Sequence, residues 1–147
     1  NLEKNCLVSF KVKYFPGELT AIAYDRSGKE CGRTSLFSGK GTPKLLLTPE
    51  TMSVGKDELA YIRIRYADED GKTLPLCRGR VKVSAENGQL LALGHACPYN
   101  PDGYLREETD TYYGEALAIL RPSSSGEKIR ISVSSPFGEA QTIVEVL

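Results

Sequence analysis

The chain has 147 residues, enough for one domain or one domain plus a fragment, and too few for a (β/α)₈ barrel of about 200 residues or more. Lys and Arg total 19 and Asp and Glu total 19, so the formal net charge is zero and a basic nucleic-acid footprint is excluded. Hydrophobic residues make up 40%, enough for a core and against disorder, and the absence of Trp excludes an antibody-type Cys–Trp–Cys sandwich.

Period-2 patterning dominates from the start. Val8-Phe10-Val12-Tyr14 alternate with Ser9, Lys11 and Lys13, as in a half-buried strand. Phe15-Pro16-Gly17 stops it, and Leu19 to Tyr24 reads as a second strand. Asp25-Arg26-Ser27-Gly28 is a hairpin turn into a third strand, Lys29 to Leu36. Ser38 to Pro43 lacks any period and reads as a linker. Strands are then expected over Leu45–Thr48, Ala60–Tyr66, Val81–Ala85, Leu90–Leu93, Tyr113–Leu120, Ile129–Val133 and Ala140–Val146. Asn87-Gly88 between two of them signals a tight hairpin. No window carries a helical period. The expected fold is all-β: an immunoglobulin-like β-sandwich over 42–147, preceded over 1–41 by a three-stranded remnant of a second, truncated sandwich.

The chain begins at Asn1 and has its single Met at position 52, so it reads as a piece of a longer polypeptide. No apolar run approaches the roughly 20 residues of a membrane helix, and no membrane partner is expected. Cys6, Cys31, Cys77 and Cys97 form no C-x-x-C pair and are expected to be free thiols.

Candidate chemistry is sparse. Asp68-Glu69-Asp70-Gly71 has the acidity of a calcium loop but lacks the twelve-residue spacing of an EF-hand, and reads as a solvated turn. His95 to Tyr112 is the longest stretch without strand pattern, and such loops are often functional. It holds Asp102, Glu107, Glu108 and Asp110. Glu108 and Asp110 share a face if extended, but an exposed pair has no raised pKa and is no acid catalyst by itself. Tyr99 and Tyr104 lie in the same loop, ahead of Tyr112 and Tyr113. Aromatic faces stack on sugar rings, so Tyr99 and Tyr104 are the candidate carbohydrate contacts, set against an ordinary packing role. His95 and Cys97, with Cys77 remote, do not reach the four ligands of a zinc site. Ser123-Ser124-Ser125 has no G-x-S-x-G elbow. No catalytic residue, metal or cofactor is expected.

Four strings in order resemble the C-terminal region of glycoside hydrolase family 2 enzymes, the β-galactosidase-like ones. They are Phe10 to Asp25, with Pro16-Gly17-Glu18-Leu19 at its centre, Pro43-Lys44-Leu45-Leu46-Leu47-Thr48-Pro49, Asp57-Glu58-Leu59-Ala60-Tyr61-Ile62 with the Asp68–Gly71 turn, and Tyr113-Gly114-Glu115-Ala116-Leu117-Ala118-Ile119-Leu120-Arg121. The resemblance implies non-catalytic immunoglobulin-like modules downstream of a barrel that hydrolyses β-glycosides with two glutamates. None of the barrel motifs occurs here. The expected role is therefore an accessory β-sandwich region of a bacterial enzyme, packing against its other domains or shaping the surroundings of its active site. A carbohydrate-binding module and a bacterial adhesin-type repeat are the alternatives. Residues 1–41 present an apolar face (Val8, Phe10, Val12, Ile22 and Tyr24), expected to fold onto the sandwich or, preferably, to associate with another copy.

Overall fold

The computed structural model describes residues 7–123 and 128–147, with eleven strands and no helix among them. The chain divides into two compact units between Ser38 and Gly39.

In the first unit, β1 (Glu18–Tyr24) and β2 (Glu30–Phe37) form an antiparallel hairpin. Its turn is built by Asp25, whose carboxylate accepts the Ser27 and Lys29 amides at 2.8 and 3.0 Å and the Ser27 hydroxyl at 2.6 Å. The Ser38 amide adds a bond to the Gly17 carbonyl at 2.8 Å. Val8–Tyr14, expected as a strand, makes no ladder, so the first unit has two paired strands and not three. Alternation fixes where side chains point, but a strand also needs a second backbone to receive its N–H and C=O groups, and among the described residues this segment pairs with none. The expected apolar face is likewise divided. Leu19 lies opposite Leu36, whereas Ile22 and Tyr24 occupy the other side of the ribbon. Phe10, Val12, Tyr14, Leu19, Tyr24 and Leu36 are all exposed.

The second unit is a two-layer sandwich. One sheet has the order β4-β11-β10-β6-β8 and the other β3-β5-β9-β7. The strands are β3 (Lys44–Pro49), β4 (Ser53–Val54), β5 (Ala60–Ala67), β6 (Val81–Glu86), β7 (Gly88–Gly94), β8 (Glu108–Thr109), β9 (Glu115–Pro122), β10 (Lys128–Ser135) and β11 (Gly138–Val146). The alternating residues dictate the layers: Ile62, Ile64 and Tyr66 of β5 and Ala116, Ala118 and Leu120 of β9 point inward. They meet Val81 and Val83 of β6, Ile129, Ile131 and Val133 of β10 and Val144 of β11. Tyr66 is the largest of these buried side chains. Its ring meets Phe137 edge-on at 5.1 Å, and its hydroxyl donates to the Arg80 carbonyl at 3.5 Å. Burial pushes its phenol pKa up.

Asn87-Gly88 does not close a hairpin. β6 pairs with β10 and β8, whereas β7 pairs with β9 in the opposite sheet, so the chain changes sheets at this point. A two-residue hairpin of the expected kind needs φ > 0 at both central residues. Here Asn87 alone takes it, at 58°. Gly88 is required for a different reason: a Cβ there would stand 2.7 Å from Ile129 Cγ2. The single left-handed residue turns the strand, and the missing side chain lets it press against β10.

Two outcomes follow from this corner. Gly88→Ala should lower stability by about 1–3 kcal/mol through overpacking. Asn87→Gly, which keeps the backbone conformation accessible, should cost far less. Urea denaturation of the three proteins checks the order.

Candidate functional site

The acidic turn is a cap. Asp68 is buried, and its carboxylate accepts backbone amides from Asp70 at 3.0 Å, Lys72 at 2.9 Å and Lys40 at 3.1 Å. The Lys72 amide, then those of Lys40 and Asp70, hold its pKa below the usual carboxylate value against the opposing effect of burial. Its oxygens are thus occupied by the chain itself. Among the described residues no three His, Cys, Asp or Glu side chains converge to hold a metal ion.

The long loop returns from β7 in one sheet to β8 in the other, and charge braces it. Arg80 donates to Glu108 through Nε and to Asp102 at 3.1 Å, and Arg106 lies 3.6 Å from the same Asp102. The expected Glu108–Asp110 couple is therefore replaced by a Glu108–Arg80–Asp102 bridge. Asp110 instead accepts the Thr111 amide at 2.8 Å. The Arg80 guanidinium pKa is raised, chiefly by Glu108.

His95 Nδ1 accepts the Cys97 amide at 3.2 Å, which spends one ring nitrogen on the local turn. Cys31, Cys77 and Cys97 are free thiols, and burial pushes that of Cys77 up. Cys6 and Ser124-Ser125 of the serine run lie outside the described residues.

The most site-like feature is a groove of about 470 Å³ on the outer face of the four-stranded sheet. The strand register builds it. Arg63, Leu117 and Gly94 form one cross-strand row, and Tyr61, Ile119 and Ala92 the next. The bulge between Leu90 and Ala92 lets β7 send Leu93 inward while Ala92 and Gly94 line the outer face. The Arg63 guanidinium lies 3.9 Å from the Glu50 carboxylate at the rim. At the other end the Tyr104 ring lies against Gly94, where a Cβ would stand 2.3 Å from Tyr104 Cδ1. The Tyr104 carbonyl accepts the Leu93 amide at 2.8 Å. His95 stacks on Tyr112 at 6.1 Å, and Tyr112 meets Tyr113 at 4.5 Å. Tyr113, and then burial, raise the Tyr112 pKa.

The two tyrosines singled out from the sequence part company here. Tyr104 lines the groove at 52% exposure, whereas Tyr99 is 87% exposed and lines none of it. Arg63, Glu50 and the apolar rows of β7 and β9 were missed. Their signal is the outward half of each strand's alternation, in which Leu117 and Ile119 stand where polar residues are usual.

Asp68→Asn should lower the denaturation midpoint at neutral pH and flatten its acid limb. The wild-type contribution is complete above the unfolded-state carboxylate pKa, near ~3.9. It is lost as pH falls below that value through the lowered folded-state pKa. Urea midpoints from pH 7 to pH 2 measure it. Arg80→Ala should leave the midpoint nearly unchanged, because exposed ion pairs contribute little. It should speed tryptic cleavage after Arg106 several-fold by releasing the loop.

The model described as glycoside hydrolase family 2 C-terminal domain 5 matches residues 44–144. Comparison with curated proteins returns no match. Among solved structures the chain is similar to a glycosyl hydrolase family 2 member from Bacteroides cellulosilyticus DSM 14838, with a TM-score of 0.85 and 24% identity. It is also similar to a beta-glycosidase from Bacteroides vulgatus (TM-score 0.78, 21% identity) and to a beta-glucuronidase from glycoside hydrolase family 2 (0.80, 18%). Each alignment covers 92% of this chain but only 19%, 18% and 15% of those proteins, so the chain spans less than a fifth of their length.

Proposed function

Because this chain belongs to the family glycoside hydrolase family 2 C-terminal domain 5, we propose that it serves as a non-catalytic accessory β-sandwich region of a bacterial β-glycosidase. The observation that carries this reading is the state of the acidic loop. Asp102 and Glu108 are committed to Arg80, and Asp110 to a backbone amide, so the carboxylates best placed for glycoside chemistry act as braces. Inverting and retaining hydrolysis both need one carboxyl group kept protonated and another free to act on the opposite side of the sugar. Here both carboxylates are held on one guanidinium, which leaves neither free to flank a sugar.

The role assigned is structural. The exposed apolar side chains of the first unit, Phe10, Val12, Tyr14, Leu19 and Leu36 among them, support a surface that packs against other domains of the parent enzyme. Association with a second copy is the corresponding behaviour of the isolated chain, and it should disappear when residues 1–38 are removed. The sequence strings favour a β-galactosidase-like enzyme, whereas the similar solved proteins carry the names beta-glycosidase and beta-glucuronidase.

The 147-residue chain should show no turnover of chromogenic β-galactosides, β-glucosides or β-glucuronides above a buffer blank. Turnover that Glu108→Gln or Asp102→Asn abolishes would overturn the non-catalytic assignment.

A further inference from the structure

We propose that the groove on the outer face of the β3-β5-β9-β7 sheet is a binding site for a neutral oligosaccharide. This goes beyond the accessory role and does not depend on it.

The floor carries the first part of the inference. Ala92, Leu117 and Ile119 line it on the side of the sheet turned away from the core. The outer face of an antiparallel sheet is ordinarily polar, so apolar residues in two successive rows need a reason. Leu117 and Ile119 are only half-buried, and nothing in the sandwich core requires them to be large and apolar.

The walls carry the second part. Tyr104 is not simply a loop tyrosine that happens to lie nearby. Its backbone is bonded to the β7 edge, and its ring occupies the space that the absent Gly94 side chain leaves. Tyr112 is held by stacking on His95 and by edge contact with Tyr113. Two aromatic rings are thus fixed before any ligand arrives, which removes much of the ordering cost of binding.

The rim selects the ligand. Arg63 and Glu50 offer donors and acceptors side by side, and Glu115 adds another acceptor. A purely apolar molecule would desolvate these groups without replacing their hydrogen bonds. A pyranose satisfies both requirements. Its axial C–H groups form an apolar face for the floor and the rings, and its equatorial hydroxyls donate and accept around the edge. The volume of about 470 Å³ lies within the usual range for small-molecule sites. Arg63 faces Glu50 and Arg65 lies opposite Glu115 in the strand register, so the rim has no surplus of positive charge to hold an acidic sugar, and the ligand is neutral.

The test is an NMR titration of the ¹⁵N-labelled 147-residue chain with cellotetraose, xylotetraose and β-1,4-galactotetraose, with tetragalacturonate as the anionic counterpart. At least one neutral tetrasaccharide should give saturable shifts centred on the Ala92, Leu117 and Ile119 amides. Tyr104→Ala and Arg63→Ala should each weaken that binding about tenfold, and Tyr99→Ala should leave it unchanged. Should Tyr104→Ala fail to fold, the exposed Arg63→Ala decides alone. The proposal is overturned if no neutral probe saturates by about 10 mM, or if the shifts centre on another face. It is equally overturned if Tyr99→Ala abolishes binding or if tetragalacturonate binds more tightly.

Discussion

The sandwich depends on one residue taking a left-handed backbone conformation between two strands that then part company. Asn87, at φ 58°, sends β6 into one sheet and β7 into the other. Because consecutive strands are split in this way, each sheet must be completed by chain from far along the sequence. β6 finds β10, and β7 finds β9. The core follows, since Val81 and Val83 of β6 now face Ile62, Ile64 and Leu120 across the sandwich instead of lying beside β7. Gly88 makes the corner sterically possible by meeting Ile129 with no side chain.

The same split explains why the chain needs its long loop. After β7 it must travel back to the other sheet to place β8 beside β6, and residues 95–107 make that journey. An unbraced loop of this length would be costly to order. The Arg80 bridge ties Asp102 within the loop and Glu108 at its far end to the segment before β6. The Tyr104 carbonyl ties its middle to the β7 edge. Loop order and groove shape therefore share a cause, because the contact that holds the loop down also sets an aromatic ring beside the outer face of the sheet.

Most of the sandwich was legible in period-2 alternation. Ala60–Tyr66 and Ile129–Val133 bury every second residue, and that pattern survives in any arrangement of partners. Partner choice is a property of the whole chain, which is why Asn87-Gly88 misled: the dipeptide reports local backbone freedom and says nothing of which sheet receives the next strand. β4 and β8, at two residues each, are too short to show a period. Val8–Tyr14 shows the converse, a clear period without a neighbour to pair with. In the candidate site, residue type alone could not separate Tyr99 from Tyr104. Gly94, small at the end of an apolar strand, was the one local sign that something would approach closely there.

The edges of the two sheets have a consequence for how such a domain behaves in crowded company. The five-stranded sheet ends in β4 and β8, each of two residues; β4 pairs with β11 only at Glu145 and Val146, so the outer edge of β11 over residues 138–144 has no described strand beside it. The four-stranded sheet ends in β3, which closes on Pro49, and in β7, whose bulge breaks the register. Each device frustrates lateral addition of a foreign strand. The four-stranded sheet is thus guarded on both sides, whereas the stretch of β11 that β4 leaves uncovered is where a foreign strand would add.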